Sequence, residues 1–228
     1  MTGEGGPHPV VLPDGTALIQ PGGGEVSSDT CILGGAVSAP SGSVVFDLGS
    51  GSGGAGLVAA RANPGCTWVG IDVRSELLEL ALLSAGMNDV TPYLAVCGDV
   101  TRVPFLMRGG MADVVITNPP YLRRGESRPS PDPRRRSSRI GGRLSMASFV
   151  RAAAHLLRAG GRFLVVHRPA NLVRLALCCR SFGLNPEELR TYGGEDGPAE
   201  LILLGCRKGS SRKLRIMPRR NLPSPGAG

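Results

Sequence analysis

No apolar run in the chain approaches the roughly 18 to 20 residues needed to cross a bilayer, so no membrane-spanning helix is expected. The first thirty residues hold no basic stretch leading into an apolar core. A secretory leader is therefore not expected either, and the cytosol is the expected location. None of the six cysteines (Cys31, Cys66, Cys97, Cys178, Cys179 and Cys206) stands in Cys-x-x-Cys spacing. Neither a zinc cage nor a disulfide framework is predicted, and no metal site is expected. Glycine and proline are frequent, at 34 and 19, but they cluster without a period, which excludes collagen-like and solenoid architectures.

What remains is a chain of 228 residues, 41% hydrophobic, which suits one well-buried domain. Its net charge of +8 is unevenly placed. The stretch from Arg123 to Arg143 carries eight arginines against Glu126 and Asp132, and the stretch from Arg207 onward carries seven basic residues and no acid. The rest of the chain is net acidic. Confined positive charge of this kind suits a polyanion, because each neutralised phosphate releases condensed counterions; a solvated loop and tail is the plainer alternative.

Three stretches follow from the pattern. Residues 1–40 are rich in Gly, Pro and Ser without a Lys or Arg, and a loosely ordered start is expected there. Residues 41–208 alternate short apolar runs with amphipathic stretches, the pattern of β-α units building a parallel sheet. Strands are predicted at 44–48, 67–71, 93–97, 113–117, 162–167, 189–192 and 200–206. Helices are predicted at 54–63, 75–87, 144–158 and 169–182, with Gly160-Gly161 stopping the third. The last two strands lie too close in sequence for an intervening helix and should pair antiparallel. The fold class expected is α/β: a Rossmann-like, seven-stranded, mostly parallel sheet with an antiparallel last strand. Residues 209–228 show no core pattern and are expected to form a flexible basic tail.

The first predicted strand ends in Asp47-Leu48-Gly49-Ser50-Gly51-Ser52-Gly53-Gly54. Glycines there allow a tight turn and a close ligand approach. Gly49, Gly51 and Gly54 also satisfy the G-x-G-x-x-G spacing that receives a pyrophosphate, so a dinucleotide remains an open reading. Asp47 favours another ligand, since a carboxylate suits a cationic amino-acid moiety and repels a pyrophosphate. Asp72 and Asp99 close the second and third strands at the same edge, where they can accept ribose hydroxyls and an adenine amine. Directly after the fourth strand stands Asn118-Pro119-Pro120-Tyr121. The lone pair of an exocyclic amine is delocalised and poorly nucleophilic. Two acceptors, the Asn118 side-chain oxygen and the Pro119 carbonyl, can bind its N–H groups and draw the nitrogen toward tetrahedral geometry. Consecutive prolines hold that backbone rigid, and Tyr121 offers a face for a flipped base. His167, alone at a strand end, is expected to make a structural hydrogen bond.

Together these motifs resemble the class I, seven-stranded amino-methyltransferases. With Gly125-Glu126-Ser127-Arg128, Pro129 to Pro133, Val166-His167-Arg168-Pro169 and Arg207-Lys208-Gly209, the chain from about Gln20 to Pro218 resembles the bacterial adenine-N6 methyltransferases of valine tRNA. The resemblance implies S-adenosylmethionine as cofactor, held by Asp47, Gly49, Gly51, Asp72 with Val73, Asp99 with Val100, and Asn118. It implies a target base held by Asn118, Pro119 and Tyr121, and an RNA partner met by Arg123, Arg124, Arg134, Arg135, Arg136 and Arg139. Ser28-Asp29-Thr30 would lie beside the cofactor. Gly23-Gly24-Glu25-Val26 departs from the family, which carries an aromatic and a basic residue there. Rival readings are a protein-glutamine or DNA-adenine methyltransferase with the same chemistry, a nucleotide-dependent oxidoreductase, and a non-catalytic RNA-binding protein. The oxidoreductase leaves Asn118 to Tyr121 unexplained. The other methyltransferases usually carry an additional domain, for which this chain has no room.

Overall fold

A computed structural model describes residues 6–22, 26–120, 145–194 and 196–223. Its centre is one sheet. Strands β3 (Val44–Leu48), β4 (Thr67–Asp72) and β5 (Tyr93–Cys97) run outward in one direction, and β6 (Ala112–Thr117) and β7 (Leu157–His167) lie on the other side of β3. All five are parallel. β9 (Leu201–Lys208) pairs antiparallel with both β7 and β8 (Leu184–Gly193), as the short connection between the last two predicted strands requires. The seven predicted strands are thus present, several of them longer than predicted by one to six residues.

Successive residues of β3 feed opposite faces, as strand geometry dictates. Val45 joins a core with α1 (Ser28–Gly35), α2 (Gly54–Ala62) and α3 (Ser75–Met87), whereas Phe46 joins one with α4 (Val103–Leu106), α5 (Met146–Leu156) and α6 (Leu172–Ser181). Burial on both faces explains why these strands read as continuous apolar runs.

Three expectations are corrected. The N-terminal segment is built into the core: β1 (His8–Val11) and β2 (Ala17–Gln20) form a hairpin, and α1 packs on α2. Side chains at the end of α3 stitch β2 in place. Asn88 Oδ1 accepts the Ala17 amide at 2.9 Å, and Ser84 Oγ accepts the Ile19 amide at 2.8 Å. These partners lie 65 and 71 residues away in sequence, out of reach of a local pattern. Gly160-Gly161 does not stop the third helix, which ends at Leu156; Gly160 takes a positive φ of 75° in a bulge where β7 shifts register against β6. After Lys208, β10 (Arg215–Ile216) and β11 (Arg220–Asn221) run parallel along β8, and Ser28 Oγ donates to the Pro223 carbonyl at 3.1 Å.

The α1–α2 crossing is set by a missing side chain. A Cβ on Gly34 would stand 2.6 Å from Val58 Cβ and 2.7 Å from the Ala55 carbonyl oxygen, whereas one on Gly35 would meet nothing within 4 Å. Gly34→Ala is expected to lose about 1–3 kcal/mol of stability from overpacking, and Gly35→Ala almost none. Denaturant titration of the two variants checks this; equal midpoints would show that α1 shifts at no cost.

Candidate active site

The chain passes from β3 to β4 and β5 on one side, then crosses back to β6 on the other. At such a switch point the connections leaving two adjacent strands diverge, and a crevice opens at their C-terminal ends. Here it lies beyond Leu48 and Thr117. Thr117 Oγ1 donates to the Leu48 carbonyl at 2.7 Å, clamping the two strand ends together.

The turn after β3 depends on alternate glycines. Gly49, Gly51 and Gly53 all have positive φ, at 73°, 55° and 85°, a region costly for residues with a Cβ. Gly54 is small for another reason, since a Cβ there would reach within 2.9 Å of Thr30 Cγ2. The amides of Gly49 and Ser50 bond to the Ile71 carbonyl at 2.8 and 3.1 Å, and the Gly51 amide bonds to Asp72 Oδ2 at 2.9 Å. The second acidic position therefore already shapes the loop. Its other oxygen accepts from the Arg74 amide at 3.0 Å and from Arg74 Nε at 3.3 Å.

Asp47 is only 4% exposed beneath this loop. The Gly56 amide donates to its Oδ2 at 3.2 Å. Burial pushes its pKa up to about 7, the Gly56 hydrogen bond opposes that, and the neighbouring Asp72 charge adds to it. A half-ionised buried carboxylate lacks a cation, and an incoming ammonium group would supply one.

Two cavities meet over the loop. One of about 270 Å³ is lined by Asp47, Gly49, Ser50, Gly51, Thr30 and Val26 among others. The second, of about 190 Å³, is lined by Ile71, Asp72, Val73, Val100, Pro120 and Phe149 among others. Gly49, Arg74 and Asn118 line both, so the crevice has one charged compartment and one largely apolar compartment joined at Asn118. Pro119 is buried. The Asn118 side-chain oxygen is buried without a hydrogen-bond partner, an arrangement costly enough to point to a donor that arrives with a ligand.

Asp47, Gly49, Gly51, Asp72, Val73, Val100 and Asn118 thus converge on one crevice. Asp99 is set apart: its Oδ1 accepts the Thr101 amide at 2.7 Å, and it lines a larger neighbouring cleft. Tyr121 and Arg123, Arg124, Arg134, Arg135, Arg136 and Arg139 lie outside the described residues, as do Gly23, Gly24 and Glu25. Thr30 lines the charged compartment, beside which its segment was expected. His167 is 5% exposed, and its Nδ1 accepts the Arg168 amide at 2.8 Å. Burial and the Arg168 charge push its pKa down while Asp29 opposes them, in keeping with a neutral structural role.

The sequence reading missed Arg74, Phe149 and Gln20. Gln20 Nε2 donates to Ser52 Oγ at 3.1 Å, tying the N-terminal hairpin to the glycine turn. Phe149 would meet a Cβ on Gly49 at 3.2 Å, yet in sequence it is one apolar residue of an amphipathic helix. Only Arg74, two residues after Asp72, carried a legible signal. Among the described residues, no group of three His, Cys, Asp or Glu side chains could hold a metal, and no helix is long and apolar enough to cross a membrane.

A family model described as the methyltransferase small domain matches residues 24–177. No curated protein matches the chain. Among solved structures, a predicted O-methyltransferase from Agrobacterium tumefaciens is 22% identical over 85% of each chain, with a TM-score of 0.65. The Thermus thermophilus 16S rRNA N2 G1207 methyltransferase, solved with AdoMet and guanosine, is 22% identical over 89% of this chain and 50% of its own, with a TM-score of 0.62. TrmN from Thermus thermophilus is 21% identical over 78% of this chain and 48% of its own, with a TM-score of 0.56. The chain thus spans about half the length of the two Thermus proteins. At these identities the likeness is one of fold.

Proposed function

The chain belongs to the methyltransferase small domain family, and on that premise we propose that it transfers a methyl group from S-adenosylmethionine to an exocyclic amine, the N6 of an adenine in tRNA. The observation that carries the choice of an amine is the buried, partnerless Asn118 side-chain oxygen directly after β6. A neutral amine attached to a ring offers two N–H donors, which suits two fixed acceptors.

The crevice fits the cofactor. The carboxylate of Asp47 suits the ammonium group, the turn from Gly49 to Gly53 leaves room for the amino-acid portion, and Ile71, Val73, Val100 and Phe149 form an apolar slot for a purine. Asp72 lines the apolar compartment for the ribose hydroxyls, whereas Asp99, which faces the neighbouring cleft, is left without the adenine-amine role expected for it. When bound, S-adenosylmethionine supplies an electrophilic methyl group. The protein's own part is to orient the amine: Asn118 and the Pro119 carbonyl hold its N–H groups and Tyr121 holds the ring. Positioning of this kind needs no strong base, because the amine becomes acidic once it is methylated.

The positive charge of the chain supports RNA as the partner, with Arg123, Arg124, Arg134, Arg135, Arg136 and Arg139 as phosphate contacts. The Thermus 16S rRNA methyltransferase among the structural neighbours is consistent with it. The experiment is transfer of labelled methyl from S-adenosylmethionine to small RNA from cells lacking the gene, followed by digestion and mass spectrometry of the nucleosides. N6-methyladenosine is the expected product. Label on guanine or cytosine would replace adenine as the target, and label in protein instead of RNA would move the substrate to a glutamine amide.

A further inference from the structure

Beside the crevice lies a larger cleft, of about 740 Å³, that the proposed chemistry does not use. It and the apolar compartment share a thin wall. Gly98, Val100 and Phe149 face the compartment, while their chain neighbours Asp99, Thr101 and Ser148 face the cleft. Its floor and rim combine two chemistries. Phe105, on the short helix α4, is 77% exposed, and Leu106 beside it is 69% exposed. The Arg151 guanidinium stacks over the Phe105 ring at 5.6 Å from its centre, and its Nη2 donates to the Thr101 carbonyl at 3.0 Å. Arg102 and Phe182 complete the lining around Asp99.

A single exposed phenylalanine needs no explanation. One held in a concave site, with a guanidinium fixed against its ring and a second arginine on the rim, has the makings of a stacking platform for a charged chain. Two guanidinia against one carboxylate favour an anion, and the ring and guanidinium planes favour a flat heterocycle. We infer that this cleft binds a nucleotide of single-stranded RNA flanking the methylated residue, with its base stacked at Phe105 and its phosphate met by Arg102 and Arg151. This rests on the reading of RNA as substrate and adds where that RNA lies. A target presented in a loop has unpaired neighbours, and gripping one of them beyond the wall would fix the register of the target at Asn118.

The test uses the full chain and a labelled RNA stem-loop with a purine-rich loop, with dissociation constants measured across salt concentrations. Phe105→Ala should weaken RNA binding by about five- to 150-fold, the range for loss of one stacked base, with the salt slope, the S-adenosylmethionine affinity and the thermal midpoint unchanged. Phe105→Trp should restore binding. Arg151→Gln should lower the salt slope by about 0.7–0.9, one phosphate contact. RNA affinity unchanged in Phe105→Ala, with the wild type binding, would overturn the cleft and spare the RNA reading. No RNA binding by a wild type that still binds S-adenosylmethionine would overturn both.

Discussion

Asn118→Ala should lower methyl transfer by about 10²–10³-fold, the usual effect of removing one preorganised polar partner of a transition state, while cofactor affinity stays close to that of the wild type. The expectation rests on a local fact. The Asn118 oxygen is buried and has no hydrogen-bond partner, so its removal breaks no bond that holds the fold. Leaving that acceptor unpaired costs free energy in the resting protein, and it is recovered most fully in the transition state, where developing positive charge makes the amine's N–H groups stronger donors. The loss should therefore fall in kcat and kcat/KM together. Asn118 also lines both compartments. If calorimetry instead showed cofactor binding lost with it, the residue would be a cofactor ligand and the amine-orienting role would have to lie elsewhere.

The second large effect concerns pH. With its pKa pushed up to about 7 by burial, Asp47 is mostly protonated at pH 6 and mostly ionised at pH 8, whereas a ligand ammonium group needs it ionised. S-adenosylmethionine affinity should rise about fivefold between those values, with a proton released on binding below pH 7, because the roughly tenfold gain from ionising Asp47 is halved at pH 8 as the ligand's own amino group, with a pKa of about 8, loses its charge. Asp47→Asn should weaken binding and abolish the rise. The stability of the free protein should move the other way. A carboxyl whose folded pKa lies above its unfolded value of about 4 binds more protons in the native state, so its contribution declines as pH rises from about 4 through about 7. Calorimetry at several pH values and in buffers of differing ionisation enthalpy would check the first claim. A flat profile in the wild type would mean that Asp47 is already ionised by a partner or does not meet the ammonium.

These effects arise at residues legible in the sequence for different reasons. The alternation of Gly49, Gly51 and Gly53 follows from backbone sterics, and each of the three proves to need a positive φ. Asp47 and Asn118 were legible because they abut strands whose apolar runs mark where the sheet ends. Gly160-Gly161 misled, because a positive φ serves a bulged strand as well as a helix end. The N-terminal hairpin was illegible because Asn88 and Ser84, not a local pattern, satisfy the amides of β2.

By itself the sequence determined the seven strands from β3 to β9 and four of the helices between them, the parallel sheet with its antiparallel close, and the two acceptor-bearing turns at its edge. Each of these depends on contacts between near neighbours or on a repeating burial pattern. Tertiary structure alone decided that Phe149 lines the apolar compartment, that Gln20 braces the glycine turn, that Asp72 is shared between Gly51 and Arg74, and that Asp99 faces a second cleft. Those outcomes depend on which strands become neighbours at the switch point. Side chains far apart in sequence meet only after the sheet has formed.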